Sequence, residues 1–341
     1  MTQTAMTYLD VAHAGARSLP QPPMLERPLR GKRAWTAATL RRDDYLIPLT
    51  DAALAEIGRF VATLRRNPLP VELLRVEEYD FTATRFVMRR LKSALDRGPG
   101  FALLDRLPVD AYDKAELKAC YWVLSQMIAR PVAQSFGGNM LYDVIDTGQL
   151  KGPKVRADKT RQDLSFHTDY GYNLPPRYIG LQVLRTAQSG GRSGVVGFAA
   201  VHEAMRQRHP DLLPRLYRPF HINRYGEHAP DDPRTGFHPV FVWDGKQLWG
   251  RFNHRNIIAG YDIAGVAMDS ETRDAIDAIN DLMFDPALGI YFDLEPGQIQ
   301  YLMNWACGHC RTEYEDFEEE DRKRHLVRIF LRDEGARSYN G

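Results

Sequence analysis

The sequence predicts a mainly β protein with flanking helices, its core a β-barrel or sandwich. Three observations carry that expectation. From about Val132 onward, short runs rich in Val, Ile, Tyr and Phe recur, bounded by Gly, Pro, Asp or Asn. Two pairs of such runs flank turn signals, Asp-Gly at Asp244 and Glu-Pro-Gly at Glu295. Helical periods fall mostly before Val132, so helices are expected outside a sheet core.

Residues 1–40 are rich in Pro, Arg and small residues and hold no period, so they read as a loosely packed arm. Residues 41–341 read as one domain, helical at first and β-rich from about residue 100. DAALAEIGRFVATLRR, from Asp51 to Arg66, has helical apolar spacing and an Asp at its start, which predicts a helix. Phe86 to Leu95 predicts another. GFALLDRL, from Gly100, is a short buried strand, and Lys114 to Ala129 an amphipathic helix. TRQDLSFHTD, from Thr160, ends in a strand. YIGLQVLRT from Tyr178 and SGVVGF from Ser193 are two more. Val201 to Tyr217 is helical but broken near Pro210. VFVWDGKQLWGRF is a hairpin, and Asp274 to Phe284 a helix. GIYFDLEPGQIQYLMNW gives two strands around its turn, and RHLVRIFLR, from Arg324, closes the series. EYEDFEEED, from Glu313, reads as a solvated acidic loop.

Composition excludes several classes. Hydrophobic content of 44% and charged content of 26% describe an ordinary globular protein. A net charge of +1 gives no field favouring nucleic acid or an anionic membrane. No apolar run spans a bilayer, and MTQTAMTYLDVAHAG lacks the basic start and apolar core of a signal peptide. Three cysteines, Cys120, Cys307 and Cys310, fit a reducing cytoplasm better than a disulfide scaffold. The expected partner is a small molecule; the oligomeric state stays open.

The tetrapeptide Cys307-Gly308-His309-Cys310 is one that disulfide-exchange enzymes carry. Such a motif sits at a helix N-terminus within a βαβ unit and needs a lowered thiol pKa. Here it follows a predicted strand and precedes an acidic cluster, which would raise a thiol pKa. If the strand QIQYLMNW continues through it, the cysteines stand about 10 Å apart. A disulfide needs Cα atoms within about 7 Å. A structural zinc site wants four ligands, and no second pair is visible. Strict alternation puts Cys307, His309 and Arg311 on one face, with Cys307 the thiol nearer any site and Arg311 able to order it.

His309 needs partners. Oxygen-activating iron sites use two His and one carboxylate. A His-x-Asp pair on a strand supplies two of them, because residues i and i+2 point to one side. Among ten histidines about one chance match is expected; there are two. His209-Pro210-Asp211 follows a charged helix, and Asp211 suits the start of the next one. His167-Thr168-Asp169 ends a strand early in the β-rich region, and His309 lies near its end.

With those residues placed, the sequence resembles the iron(II)- and 2-oxoglutarate-dependent oxygenases of the taurine dioxygenase and clavaminate synthase-like group, from about Leu103 to Arg332. The matching stretches are FHTD at Phe166, GHCRT at Gly308, RKRHLVR at Arg322, and GGRS at Gly190, where Ser193 replaces the family's Thr but keeps its hydroxyl. The resemblance implies a double-stranded β-helix (jelly-roll) barrel. It implies Fe(II) held by His167, Asp169 and His309, with 2-oxoglutarate and O2 completing the site. Arg324, 15 positions past His309, stands where relatives bind the far carboxylate of 2-oxoglutarate, together with Ser193. Arg328 matches an arginine that holds a substrate acid group in some relatives. Gln134 aligns with a pocket-lining strand, and Tyr170, Tyr172 and Asn173 would form the lip. Residue physics agrees in one respect. RHLVRIFLR alternates, so Arg324 and Arg328 share a face with Leu326 and Phe330, and an arginine in a partly buried strand needs an anion.

The implied activity is hydroxylation of an unactivated C–H of a small polar substrate, such as an amino acid or other carboxylate. Related halogenases lack the carboxylate ligand, so Asp169 favours hydroxylation, with desaturation also open. Other readings are oxidation of a sulfonate, phosphonate or aryloxyacid by the same chemistry, thiol-disulfide exchange through Cys307 and Cys310, and a silent barrel that binds without turnover.

Overall fold

In the computed structural model the chain is described over residues 23–148, 159–171 and 173–339. Three N-terminal helices come first. Thr50 accepts from the Ala53 amide and so caps α1 (Asp51–Arg66). α2 (Thr82–Arg97) buries Val87, Met88, Leu91 and Leu95, one stripe at helical spacing. Asp113 and Glu116 form a capping box at α3 (Lys114–Gln126). The sequence reads α3 as amphipathic, but every residue from Ala119 to Ser125 is buried. It lies between the sheet and the turns around Leu74, whose carbonyl accepts from Trp122 Nε1 (3.1 Å).

Eleven strands follow in two sheets: β1 (Leu46–Pro48), β2 (Phe101–Asp105), β3 (Arg130–Val132), β4 (Leu141–Val144), β5 (Leu164–His167), β6 (Tyr178–Arg185), β7 (Ser193–Gly197), β8 (Gly289–Phe292), β9 (Ile299–Met303), β10 (Cys307–Arg311) and β11 (His325–Arg332). The larger sheet runs β1-β2-β9-β6-β11-β3, with β4 also paired to β11. Only β1 against β2 is parallel among these pairs. The smaller sheet is the antiparallel set β8-β7-β10-β5. The mainly β class with flanking helices is therefore observed. Among the described residues no ladder joins the sheets, so a jelly-roll-like pair of sheets stands where a closed barrel was expected.

The two strands around Glu295-Pro296-Gly297 do not pair with each other. β8 joins the smaller sheet and β9 the larger, so the turn carries the chain across. The same happens at Asn304–Ala306. QIQYLMNW was expected to run on toward His309, but Ala306 donates back to the Met303 carbonyl and the chain turns into a new strand. His309 thus lies inside β10 rather than at the end of β9.

α4 (Phe198–Arg208) packs on β7 and on α6 (Ser270–Met283). α6 also backs β10: the missing side chain at Gly308 leaves room for the tip of Met283 behind His309. Between them, α5 (His254–Ala264) has no counterpart in the sequence reading. Its opening Asn-His-Arg-Asn and internal Gly260 are weak helix formers. Gly260 is needed because a Cβ there would strike the His221 backbone. The arm is held at several points among its described residues. Leu25 is buried and donates to Tyr217 Oη (3.2 Å), and buried Trp35 donates to the Pro99 carbonyl (2.8 Å).

Candidate active site

β10 is central in the smaller sheet, with β5 on one side and β7 on the other. The ladder sets His309 opposite His167, and the two rings stand 4.3 Å apart. His167 Nδ1 lies 2.9 Å from the Ser165 carbonyl. A carbonyl only accepts, so Nδ1 carries a proton and the ring turns Nε2 toward Asp169. That Nε2 is 3.2 Å from Asp169 Oδ1, and His309 Nε2 is 3.8 Å from the same oxygen. Burial, and then the neighbouring His167, pushes His309 down to about 3, so the His309 ring is neutral at pH 7. Burial pushes the Asp169 carboxyl up, but the Arg328 guanidinium beside it opposes this and holds it well below the usual carboxylate range. Three candidate ligand atoms thus converge within 4.8 Å of one another. Two nitrogens and one carboxylate oxygen are the donor set for non-haem iron(II), so these residues fit the metal.

The rejected pair, His209 and Asp211, forms no such cluster among the described residues. Asp169 is fixed through its backbone by a residue the sequence reading missed. Asn304 Oδ1 accepts from the Asp169 amide (2.9 Å), and Asn304 Nδ2 donates to the Asp169 carbonyl (2.8 Å). Next to it, Thr168 N donates to the Phe252 carbonyl (2.8 Å), zipping the metal loop to the segment before α5.

A cavity of about 150 Å³ lies between the sheets and holds all three donors. Arg324, Leu326, Arg328 and Phe330, the predicted face of β11, form one wall. Arg324 is buried, and burial, then nearby Arg311, lowers its pKa to about 10. It lies over the Tyr314 ring, and no carboxylate bridges it among the described residues. Ser193 is on the same cavity wall and donates to Gln300 Oε1 (2.7 Å). The turn before it needs glycine: Gly190 and Gly191 both have positive φ, and a Cβ on Gly190 would strike the Glu313 carbonyl.

Arg328 takes a different environment. It is 3.3 Å from Asp169 Oδ2, and its Nε donates to Gln134 Oε1 (2.9 Å). Gln134 Nε2 donates back to the Arg328 carbonyl (3.0 Å). Gln134, expected on the pocket wall, therefore lies behind Arg328 and orients it. Tyr170 borders the cavity, edge-on to Tyr339, and its hydroxyl accepts from Asn173 (3.3 Å). Asn173 also ties to the Glu227 carbonyl (3.1 Å). Tyr172 lies outside the described residues.

Arg311 holds the strand leading into β5, donating to the carbonyls of Thr160 (2.9 Å) and Gln162. The cysteines depart from the expected geometry. Cys310, not Cys307, borders the cavity, because Gly194 opposite it leaves room for the sulfur. Cys307 lies against the Pro99 carbonyl (3.5 Å). Both are free, and burial pushes each thiol up to about 12.

Two imidazoles, a carboxylate held ionised and a buried arginine that no carboxylate bridges among the described residues, all facing one cavity, define a 2-oxoglutarate-dependent non-haem iron dioxygenase. The comparisons agree. The family described as "Taurine catabolism dioxygenase TauD, TfdA family" matches residues 68–330, and the chain belongs to it. FR-33289 synthase of Streptomyces rubellomurinus is 24% identical over 322 residues, covering 93% of this chain and 94% of that protein. Taurine hydroxylase-like protein SAT17 of Stachybotrys chartarum is 21% identical, covering 90% and 80%. An asparagine oxygenase solved with Fe(II), 2S,3S-3-hydroxyasparagine and succinate superposes with a TM-score of 0.65 at 16% identity, covering 85% of this chain and 94% of that one. The oxygenase OrfP, solved with Fe, succinate and (3S)-hydroxy-L-Arg, superposes at 0.64 and 14% identity over the same shares. No helix among the described residues is long and apolar enough to cross a membrane.

Proposed function

We propose that this dioxygenase hydroxylates an unactivated C–H of a small polar substrate carrying an acid group, such as an amino acid or another carboxylate. One observation carries the reading: a second buried arginine, Arg328, stands on the cavity wall beside the metal-binding carboxylate. In this reading His167, Asp169 and His309 hold iron(II). Iron with 2-oxoglutarate and O2 supplies the oxidising power: one oxygen atom ends in succinate, the other in the product, and carbon dioxide leaves.

The protein's own residues bind and orient. Arg324 and Ser193 take the far carboxylate of 2-oxoglutarate, so that a carboxylate bridges the buried Arg324 charge. Arg328 takes the substrate acid group and, without substrate, rests on Asp169. Gln134 fixes its guanidinium plane. Tyr170 and Asn173 close the rim, and the buried walls exclude water. We assign residues 41–341 to one oxygenase domain of double-stranded β-helix type. A reducing cytoplasm suits its three free thiols.

The test is a panel of amino acids and other small acids, scored by succinate release with iron(II) and 2-oxoglutarate. An acid that raises succinate release well above the uncoupled background, with a hydroxylated product, is the expected result. Stimulation only by substrates without an acid group would overturn the assignment of Arg328.

A further inference from the structure

The first turn of α5 borders the active-site cavity, and nothing in the mechanism above uses it. Asn253 pairs with His167 in a β-bridge, and Phe252 N donates to Thr168 Oγ1 (3.1 Å). The helix therefore starts directly beside the metal-binding strand. His254, Arg255 and Asn256 all stand on the cavity wall. Asn256 is only 4% exposed, yet its side-chain oxygen has no hydrogen-bond partner among the described residues. An unpaired polar atom in a buried residue of a cavity wall is stabilised when a bound ligand supplies its partner. Its oxygen and NH2 are interchangeable in shape, so a half-turn of the amide presents either one.

The surrounding charges select which. Arg255 is exposed and makes no ion pair among the described residues. Asn253 Oδ1 caps the Asn256 amide (3.1 Å), which fixes the helix end, and an 11-residue helix directs its positive end at the cavity. His254 is anchored to Asp277 (2.6 Å). Two carboxylates border the cavity. Asp169 belongs to the metal, and Asp163 stands four residues up β5 from His167, about 13 Å along the strand. At the turn itself, the Asp277 carboxylate is taken up by His254. Arg328 sits on the opposite wall, on the larger sheet.

We propose that the first turn of α5 recognises the end of the substrate remote from Arg328, through Asn256 and Arg255, and that this end is anionic or acceptor-rich, such as a phosphonate, sulfonate or second carboxylate. This deepens the oxygenase reading and rests on it. The substrate is then a bifunctional small acid spanning the two sheets, with the reacting C–H between its held ends. A substrate ending in an ammonium or guanidinium group would meet Arg255 and the helix end with like charge.

The test uses three amino acids of similar reach: L-2-amino-4-phosphonobutanoate, L-glutamine and L-ornithine. Each is titrated by calorimetry, without oxygen, into the protein loaded with iron(II) and 2-oxoglutarate. The phosphonate should bind at least about tenfold more tightly than ornithine, a difference typical of a matched against a mismatched charge. Arg255→Glu should invert that order. Asn256→Ala should weaken the phosphonate and glutamine about tenfold. Asn256→Asp, which keeps the shape of the side chain, should move the preference toward ornithine. A phosphonate that binds no better than ornithine in the unmodified protein overturns the proposal, as does an order unchanged in all three variants. The visible band of the iron and 2-oxoglutarate chelate separates the two levels. Its absence from the unmodified protein would sink the oxygenase reading and the inference with it; a normal band with ornithine preferred would sink the inference alone.

Discussion

Arg324 is a buried cation whose side chain no carboxylate bridges among the described residues. Tyr314 offers a ring face, but a ring is a weak substitute for an anion. The charge is therefore poised for a bound acid, and 2-oxoglutarate carries one. Arg324→Gln should weaken 2-oxoglutarate by about 2–4 kcal/mol, the usual effect of stripping one partner from a desolvated charge pair. Arg328→Gln should leave 2-oxoglutarate nearly as tightly bound while impairing coupled turnover. Titrating the chelate's visible band with each variant decides; the opposite order of effects would exchange the two assignments. At this scale much was legible. His167 ends β5 with Asp169 two residues on in the turn that follows, His309 stands alone near the end of the β-rich region, and the arginines alternate with Leu326. Asn304 and Gln134 were not legible in their roles. Asn304 acts through a turn between two sheets, and Gln134 through a partner 194 positions away. No local pattern encodes either contact.

Among the elements, α4 contains a buried group with a pH signature. His202 Nε2 lies 2.8 Å from Tyr217 Oη and its ring packs on Phe241. Burial lowers its pKa to about 4, against about 6.5 in the unfolded chain. Between those values the unfolded state takes up a proton that the folded state refuses. Stability therefore falls as pH drops from about 6.5 to about 4, and this one group accounts for about 2 kcal/mol by pH 5. His202→Phe should remove that component. Thermal melts of parent and variant at pH 7.5 and pH 5 should show the parent losing more of its stability; parallel losses would contradict the assignment. The helices on either side of this region illustrate what sequence can carry. Ser270–Met283 has a regular apolar stripe and an Asp cap, and was read correctly to within a turn. His254–Ala264 opens on His, Arg and Asn and carries an internal Gly260, and it docks on the strand Phe220–Asn223. That is a tertiary effect overriding propensity. It is also why the cavity wall formed by Arg255 and Asn256 went unread.

Across the whole molecule, the site is where the two sheets are tied. Asp169 follows β5 of the smaller sheet and reaches Arg328 on β11 of the larger one. The sequence indicated sheets with helices outside, but not that its last β turns, at Glu295-Pro296-Gly297 and Asn304–Ala306, exchange the chain between sheets. A turn signal marks a reversal and says nothing about which neighbour the next strand will meet. Because donors from different strands converge only after that exchange, metal binding should report on the complete fold. An ion that binds the folded state alone stabilises it by about 2.7 kcal/mol at a hundredfold excess over its dissociation constant. Iron(II) added without oxygen should therefore raise the melting temperature by a few degrees, and a chelator should reverse the rise. His167→Ala should abolish it, since two donors cannot hold the ion. His209→Ala, in the other His-x-Asp sequence, should keep it in full, because that residue lies at the end of α4 outside the cluster. If the rise survived in His167→Ala and vanished in His209→Ala, the metal would lie outside the cavity between the sheets, and the assignments of Arg324 and Arg328 built around that cavity would fall with it.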